Sequence, residues 1–192
     1  MPPGFTEQSQ RFRPNSKEEQ VLQRACEHFE STLISIQGQL AGSVAAMEPR
    51  QSNEALNYGE IFVRDNVPVM IYLMLQGRFS IVKHFLSVSL QLQSTSVQTR
   101  GVFPTSFVEE NGQLVADYGQ RSIGRITSVD ASLWWPVLCW IYVKRSGDTA
   151  FGRSPEVQRG IQMLLDLVLH PSFEGTPVLF VPDCAFMIDR PM

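Results

Sequence analysis

Three short stretches hold residues whose types could do chemistry. In "NYGEIFVRD", residues 57–65, Arg64 and Asp65 stand where an apolar run begins. A guanidinium beside a carboxylate presents donors and acceptors together. Sugar hydroxyls suit such a pair, because each hydroxyl can donate to Asp and accept from Arg. The same pattern also describes an Asp that caps a helix next to a surface Arg. In "ITSVDASLWWP", residues 126–136, Asp130 precedes Trp134 and Trp135. Neighbouring side chains on a helix point about 100° apart, so the two indoles cannot serve one partner. One belongs to a core and the other can offer a flat face to a sugar ring; spacing leaves open which. In "FVPDCAFMIDRPM", residues 180–192, Asp183 and Asp189 lie in an apolar run with Arg190 beside the second. Apolar surroundings raise a carboxyl pKa, as a general acid near neutral pH requires. Direct pairing with Arg190 would lower it, so a structural ion pair competes with catalysis.

The elements that must position these residues are mostly helical. Residues 1–15 read as a disordered, solvated tail. "SKEE" then opens a helix at Ser16, with Glu19 placed to complete a capping box. Val21, Leu22, Ala25, Phe29, Leu33 and Ile36 recur on one face until Gly38. After an irregular stretch, Asp65 or Asn66 caps a second helix over 66–76, apolar all round and therefore expected to be buried on every side. A third, amphipathic helix covers about 78–94. The alternation repeats: Asp130 caps an apolar helix stopped by Gly147, and Ser154-Pro155 opens an amphipathic one to about Leu169. An inner ring of buried helices inside an outer ring of half-exposed ones would produce it. Between the hairpins, residues 95–129 form a long connection whose Phe103, Phe107, Tyr118 and Ile126 predict order. Within it, "VEENGQLVAD" predicts a short β-hairpin turning at Asn111-Gly112.

Composition narrows the function classes. The chain has 192 residues, 43% hydrophobic and 18% charged, with a net charge of −3. That suits one globular domain and makes nucleic acid and anionic membrane poor partners, since both call for a basic face. The longest apolar runs, 67–75 and 133–143, fall short of the roughly 20 residues of a membrane span, and residues 1–15 lack the apolar core of a secretory signal. Cys26, Cys139 and Cys184 are widely spaced, without a CxxC motif, and read as reduced core cysteines. His28, His84 and His170 have no ligand spacing and read as structural. No GxGxxG, P-loop or HExxH motif is present. The expectation is a soluble, cytoplasmic protein without a metal site.

Taken in order, "NYGEIFVRDNVP", "YGQRSIGRITSVDASLWWPVLCWIYVKRSGD" and "VPDCAFMIDRPM" resemble the alkaline/neutral invertases of cyanobacteria and plants. The resemblance runs from about residue 20 to the end. It implies hydrolysis of sucrose to glucose and fructose, with inversion and without cofactor, on an all-α (α/α)6 barrel. It also implies that Asp189 of the MIDR string is the general acid. Tyr58, Arg64, Asp65, Asp130, Trp134, Trp135, Asp183 and Arg190 would then hold the sugar, and the full-length form would be a homo-oligomer. Five predicted helices in 192 residues scale to about 460 residues for the twelve of such a barrel. Residues 16–192 are therefore expected to be an incomplete barrel domain, truncated at its C-terminus and lacking the general base. Two other readings remain: a non-catalytic remnant that associates with a full-length copy, and another (α/α)6 carbohydrate-active enzyme.

Overall fold

The computed structural model describes residues 16–45, 59–96, 99–118, 126–128, 130–169 and 187–189. The chain divides after Ser31 into two compact units.

The first unit holds most of α1 (Lys17–Thr32). Its start is the expected capping box: Glu19 N–H donates to Ser16 Oγ at 3.1 Å, and Ser16 N–H donates to a Glu19 carboxylate oxygen at 3.0 Å. The predicted helix extends too far, however. No residue of α1 is buried, Cys26 is exposed rather than in a core, and the helix ends at Thr32. Leu33 and Ile36, predicted on its face, belong to β1 (Leu33–Ile36), which pairs antiparallel with β2 (Gln39–Ser43). The cause is the turn. Gln37 and Gly38 both have positive φ, 52° and 76°, the conformation of a two-residue hairpin rather than of a helix stop.

Among the described residues, the second unit holds five helices and three small antiparallel sheets. β3 (Ile61–Phe62) leads through a turn into α2 (Asn66–Leu75), and Gly77, at φ 75°, allows the immediate return as α3 (Phe79–Gln91). β4 (Ser106–Glu110) and β5 (Gln113–Asp117) form the predicted hairpin, with Asn111 and Gly112 at φ 53° and 77°. β3 adds to its edge, pairing Ile61 with Phe107. β6 (Ile126–Ser128) precedes α4 (Asp130–Ser146), and the short α5 (Thr149–Gly152) leads to α6 (Pro155–Val168). Ser154 caps α6 through Val157 N–H, as its Ser-Pro start predicts. The last strand, β7 (Met187–Asp189), returns to pair with β6.

The core lies where α2, α3 and α4 meet the β3–β4–β5 sheet. Ile61, Met70, Leu73, Phe85, Leu86, Phe107, Trp135 and Leu138 are its fully enclosed large side chains from those elements. Asn66 locks the approach to α2: its Oδ1 accepts from Ser43 N–H, and its Nδ2 donates to the carbonyls of Ser43 and Phe62. Gln93 ties α3 to α6 by donating to the carbonyls of Gly101 and Gly160. The fold is dominated by helix, as expected, but carries more strand than one hairpin. The expectation of full burial also fails. α2 leaves Tyr72 and Leu75 exposed, and α4 turns Leu133, Trp134, Val137 and Trp140 outward in one helical stripe.

Candidate functional site

The site forms where α2 and α4, which pack together, both begin. Arg64 sits in the turn before α2 and Asp130 is the first residue of α4. The Arg64 guanidinium meets two carboxylates. Its Nε lies 3.4 Å from Asp65 Oδ1, and its Nη1 lies 3.7 Å from Asp130 Oδ1. Asp130, far in sequence from the adjacent Arg64 and Asp65, is brought to them by helix packing. Their exposure differs sharply. The Asp65 side chain is 60% exposed, Arg64 30%, and Asp130 only 9%.

Asp65 is not the helix cap that its position predicts. It stands at the N-cap of α2, but its backbone is already helical (φ −68°, ψ −24°) and its side chain makes no capping bond. A cap needs an extended backbone to turn its oxygen back onto the first amides. The carboxylate instead faces Arg64 and solvent. Asn66, the alternative cap, spends its amide on β2 and β3.

The two tryptophans separate cleanly. Trp135 is enclosed, 1% exposed, its ring stacked on Phe103 with centroids 4.8 Å apart and planes 17° from parallel. Its Nε1–H donates to Ser89 Oγ at 2.9 Å. With both face and donor engaged in the core, Trp135 has nothing to offer a ligand. Trp134 is 41% exposed. It follows Asp130 by four residues, which places the two on the same side of α4.

Of Asp189 only the backbone is described. β7 pairs with β6 in the register Ile126 to Asp189, Thr127 to Ile188 and Ser128 to Met187. Asp189 therefore pairs with the β6 residue farthest from Asp130, while Met187 pairs with the nearest of the three. The Asp189 side chain is outside the described set, as are Tyr58, Asp183 and Arg190.

Sequence reasoning missed the ion pair between Arg64 and Asp130. The available signal was the recurrence of an Asp at the start of each apolar helix. It also passed over Glu60 and Asp117, two buried carboxylates on the β3–β4–β5 sheet; Glu60 accepts from Ser106 Oγ at 2.7 Å. A groove of about 550 Å³ runs between α3 and α6, past Leu90, Phe151, Pro155, Arg159 and Met163. None of the candidate residues lines it. The groove carries charged side chains of its own, Glu156 and Arg159, but none from the three sequence stretches, so the Arg64 cluster rather than the groove is the candidate site. Among the described residues, no group of His, Cys, Asp and Glu could hold a metal ion, and no helix is long and apolar enough to cross a membrane.

Comparison with known proteins gives one family. Residues 25–192 match alkaline and neutral invertases. The alkaline/neutral invertase CINV1 of Arabidopsis thaliana is 36% identical over 184 residues, which cover 90% of this chain and 33% of that protein. Cytosolic invertase 1 of Oryza sativa subsp. japonica is likewise 36% identical over 184 residues, with the same coverage. The mitochondrial neutral/alkaline invertase 1 of Oryza sativa subsp. japonica is 38% identical over 178 residues, 84% of this chain and 28% of that protein. The chain thus spans about a third of the length of these relatives. With the match running through all three sequence stretches and through every element of the second unit, the chain belongs to the alkaline and neutral invertase family.

Proposed function

We propose that this chain carries the sugar-holding residues and the general acid of an inverting glycoside hydrolase that cleaves sucrose. One observation supports the reading above others. Arg64, Asp65 and Asp130 meet at one point, with Trp134 open to solvent a turn further along α4. Arg64 and Asp65 give and accept hydrogen bonds on the glucosyl hydroxyls, and Trp134 offers its ring to the sugar face. Asp189 protonates the fructosyl oxygen as its bond to the anomeric carbon breaks. Water attacks that carbon from the opposite side and passes its proton to a base. In an inverting enzyme that base stands roughly 6.5–9.5 Å from the acid, and no residue of this chain is assigned to it. The proposed setting is an incomplete (α/α)6 barrel in the cytoplasm, homo-oligomeric when full-length, with no cofactor.

A second reading has its own observation. The outward stripe of Leu133, Trp134, Val137 and Trp140 on α4 favours a chain that acts by packing against another polypeptide, such as a full-length copy.

A chimera tests the enzymatic reading, with residues 25–192 replacing the matched third of the Arabidopsis relative. It should release glucose from sucrose, whereas the 192-residue chain alone should not. Asp189→Asn in the chimera should lower turnover on sucrose by about 10²–10⁴-fold, the usual worth of a general acid. It should cost far less on glucosyl fluoride, whose leaving group needs no proton. Equal losses on the two substrates would assign Asp189 to a structural ion pair.

A further inference from the structure

We propose that Asp130 is a positioning residue: it holds the Arg64 guanidinium from behind, so that Arg64 and Asp65 together face the ligand. This rests on the reading of Arg64 and Asp65 as sugar-holding residues, and it divides the labour among three charges that sequence alone treats alike.

Burial and geometry carry the argument. Both carboxylates contact one guanidinium, but through different nitrogens: Asp65 at Nε and Asp130 at Nη1. Asp65 accepts a hydrogen bond at 3.4 Å and Asp130 makes an ion contact at 3.7 Å, so two charges on different sides of one guanidinium restrict where it sits. Asp65 is largely open and makes no cap bond, so a ligand hydroxyl can reach it. Asp130 is nearly enclosed, and an incoming hydroxyl would have to displace its surroundings or Arg64 itself. Each therefore has the role its exposure permits. Asp65 is the acceptor presented to the ligand, and Asp130 is the anchor.

The anchor's place in the fold adds to this. Asp130 opens α4, and a carboxylate is favourably placed at the positive end of a helix. A side chain on the first turn of a packed helix is held more rigidly than one in a loop. Arg64, in the turn before α2, is a residue whose long side chain has much rotamer freedom to lose. Fixing it to α4 removes that freedom before the ligand arrives, which is the general source of affinity through pre-organisation. The anchor also sets Arg64 relative to Trp134, which shares its side of α4.

The test uses two readouts. In the 192-residue chain carrying 15N-labelled arginine, the Arg64 Nε–H signal is assigned by its loss in Arg64→Lys. Asp130→Asn should move that signal to the crowded position of the exposed arginines and speed its exchange with water. Asp130→Glu should restore much of the original position. In the invertase chimera, Asp130→Asn should raise KM for sucrose by about 10- to 100-fold, the range a charged hydrogen bond controls, with kcat changed less than about threefold. An Arg64 signal unmoved by Asp130→Asn overturns the proposal. So does a variant that loses thermal stability with KM unchanged, which would make Asp130 a structural end-piece of α4. If the Arg64 signal responds but neither Asp65→Asn nor Asp130→Asn alters KM, Asp130 does anchor Arg64 and the sugar-holding reading is what fails.

Discussion

Replacing each tryptophan of the adjacent pair by alanine should produce opposite phenotypes. Trp135 is enclosed, and a buried tryptophan removes about 150–250 Å² from water. At about 25 cal/mol per Å², the side chain contributes about 4–6 kcal/mol of transfer free energy. Alanine keeps only the Cβ, and its cavity is flanked by the Phe103 ring that had stacked on the indole. The expected loss for Trp135→Ala is therefore about 4–5 kcal/mol, within the range of large aromatic truncations. Trp135→Phe keeps a ring against Phe103 but removes the donor to Ser89 Oγ, which should cost about 1–2 kcal/mol. Trp134 is 41% exposed and leaves no enclosed cavity, so the same conversion gives about 2–3 kcal/mol for Trp134→Ala. Urea unfolding followed by far-UV circular dichroism measures the difference without relying on tryptophan emission. A gap of about 1–3 kcal/mol corresponds to midpoints about 0.5–1.5 M apart at a urea sensitivity of about 2 kcal/mol per M. In the chimera the order should reverse: Trp134→Ala should raise KM for sucrose, while Trp135→Phe should leave it near its starting value. Equal midpoints for the two alanine variants would refute the assignment of one indole to the core and the other to the ligand.

Two further outcomes follow from other parts of the fold. Lys83 beside Asp148, helped by Phe151 N–H and the Tyr142 hydroxyl, holds the Asp148 carboxyl below the usual range. Burial, with Asp148 next, pushes Tyr142 up to about 12, so its hydroxyl stays a donor. A lowered folded pKa makes the Asp148 contribution complete above the unfolded value of about 3.9. It is lost as pH falls through the lower folded value. Asp148→Asn should therefore lower stability at pH 7 and flatten its decline below about pH 4, read as urea midpoint against pH; parallel curves would contradict the pairing. The outward stripe on α4 should drive association of the isolated chain, since exposed apolar patches of this kind are rare on stable monomers. Val137→Glu with Trp140→Glu should shift its light-scattering mass toward that of a monomer at unchanged helix content, and an unchanged mass would count against the stripe as a contact surface.

Local signals account for what was legible in the sequence. The Ser16–Glu19 box, the Asn111-Gly112 turn, the stops at Gly77 and Gly147 and the Ser154-Pro155 start all came out as read, because each depends on residues within a few positions of one another. The alternation of apolar and amphipathic helices likewise follows from side-chain periodicity. The likeness to the invertases was also written in the chain, in strings long enough to specify a family. Tertiary structure decided the rest. Periodicity carried the first helix on to Ile36, but positive φ at Gln37 and Gly38 and pairing with β2 made that segment a strand. A uniformly apolar helix such as α4 names no inward face, so only its packing against α2 and α3 determined that Trp135 is enclosed and Trp134 open. The Asp65 carboxylate was released from capping by a backbone angle that composition cannot specify. Arg64 found Asp130 because two helix starts distant in sequence came together in space, a pairing set by how α2 and α4 pack rather than by either motif alone.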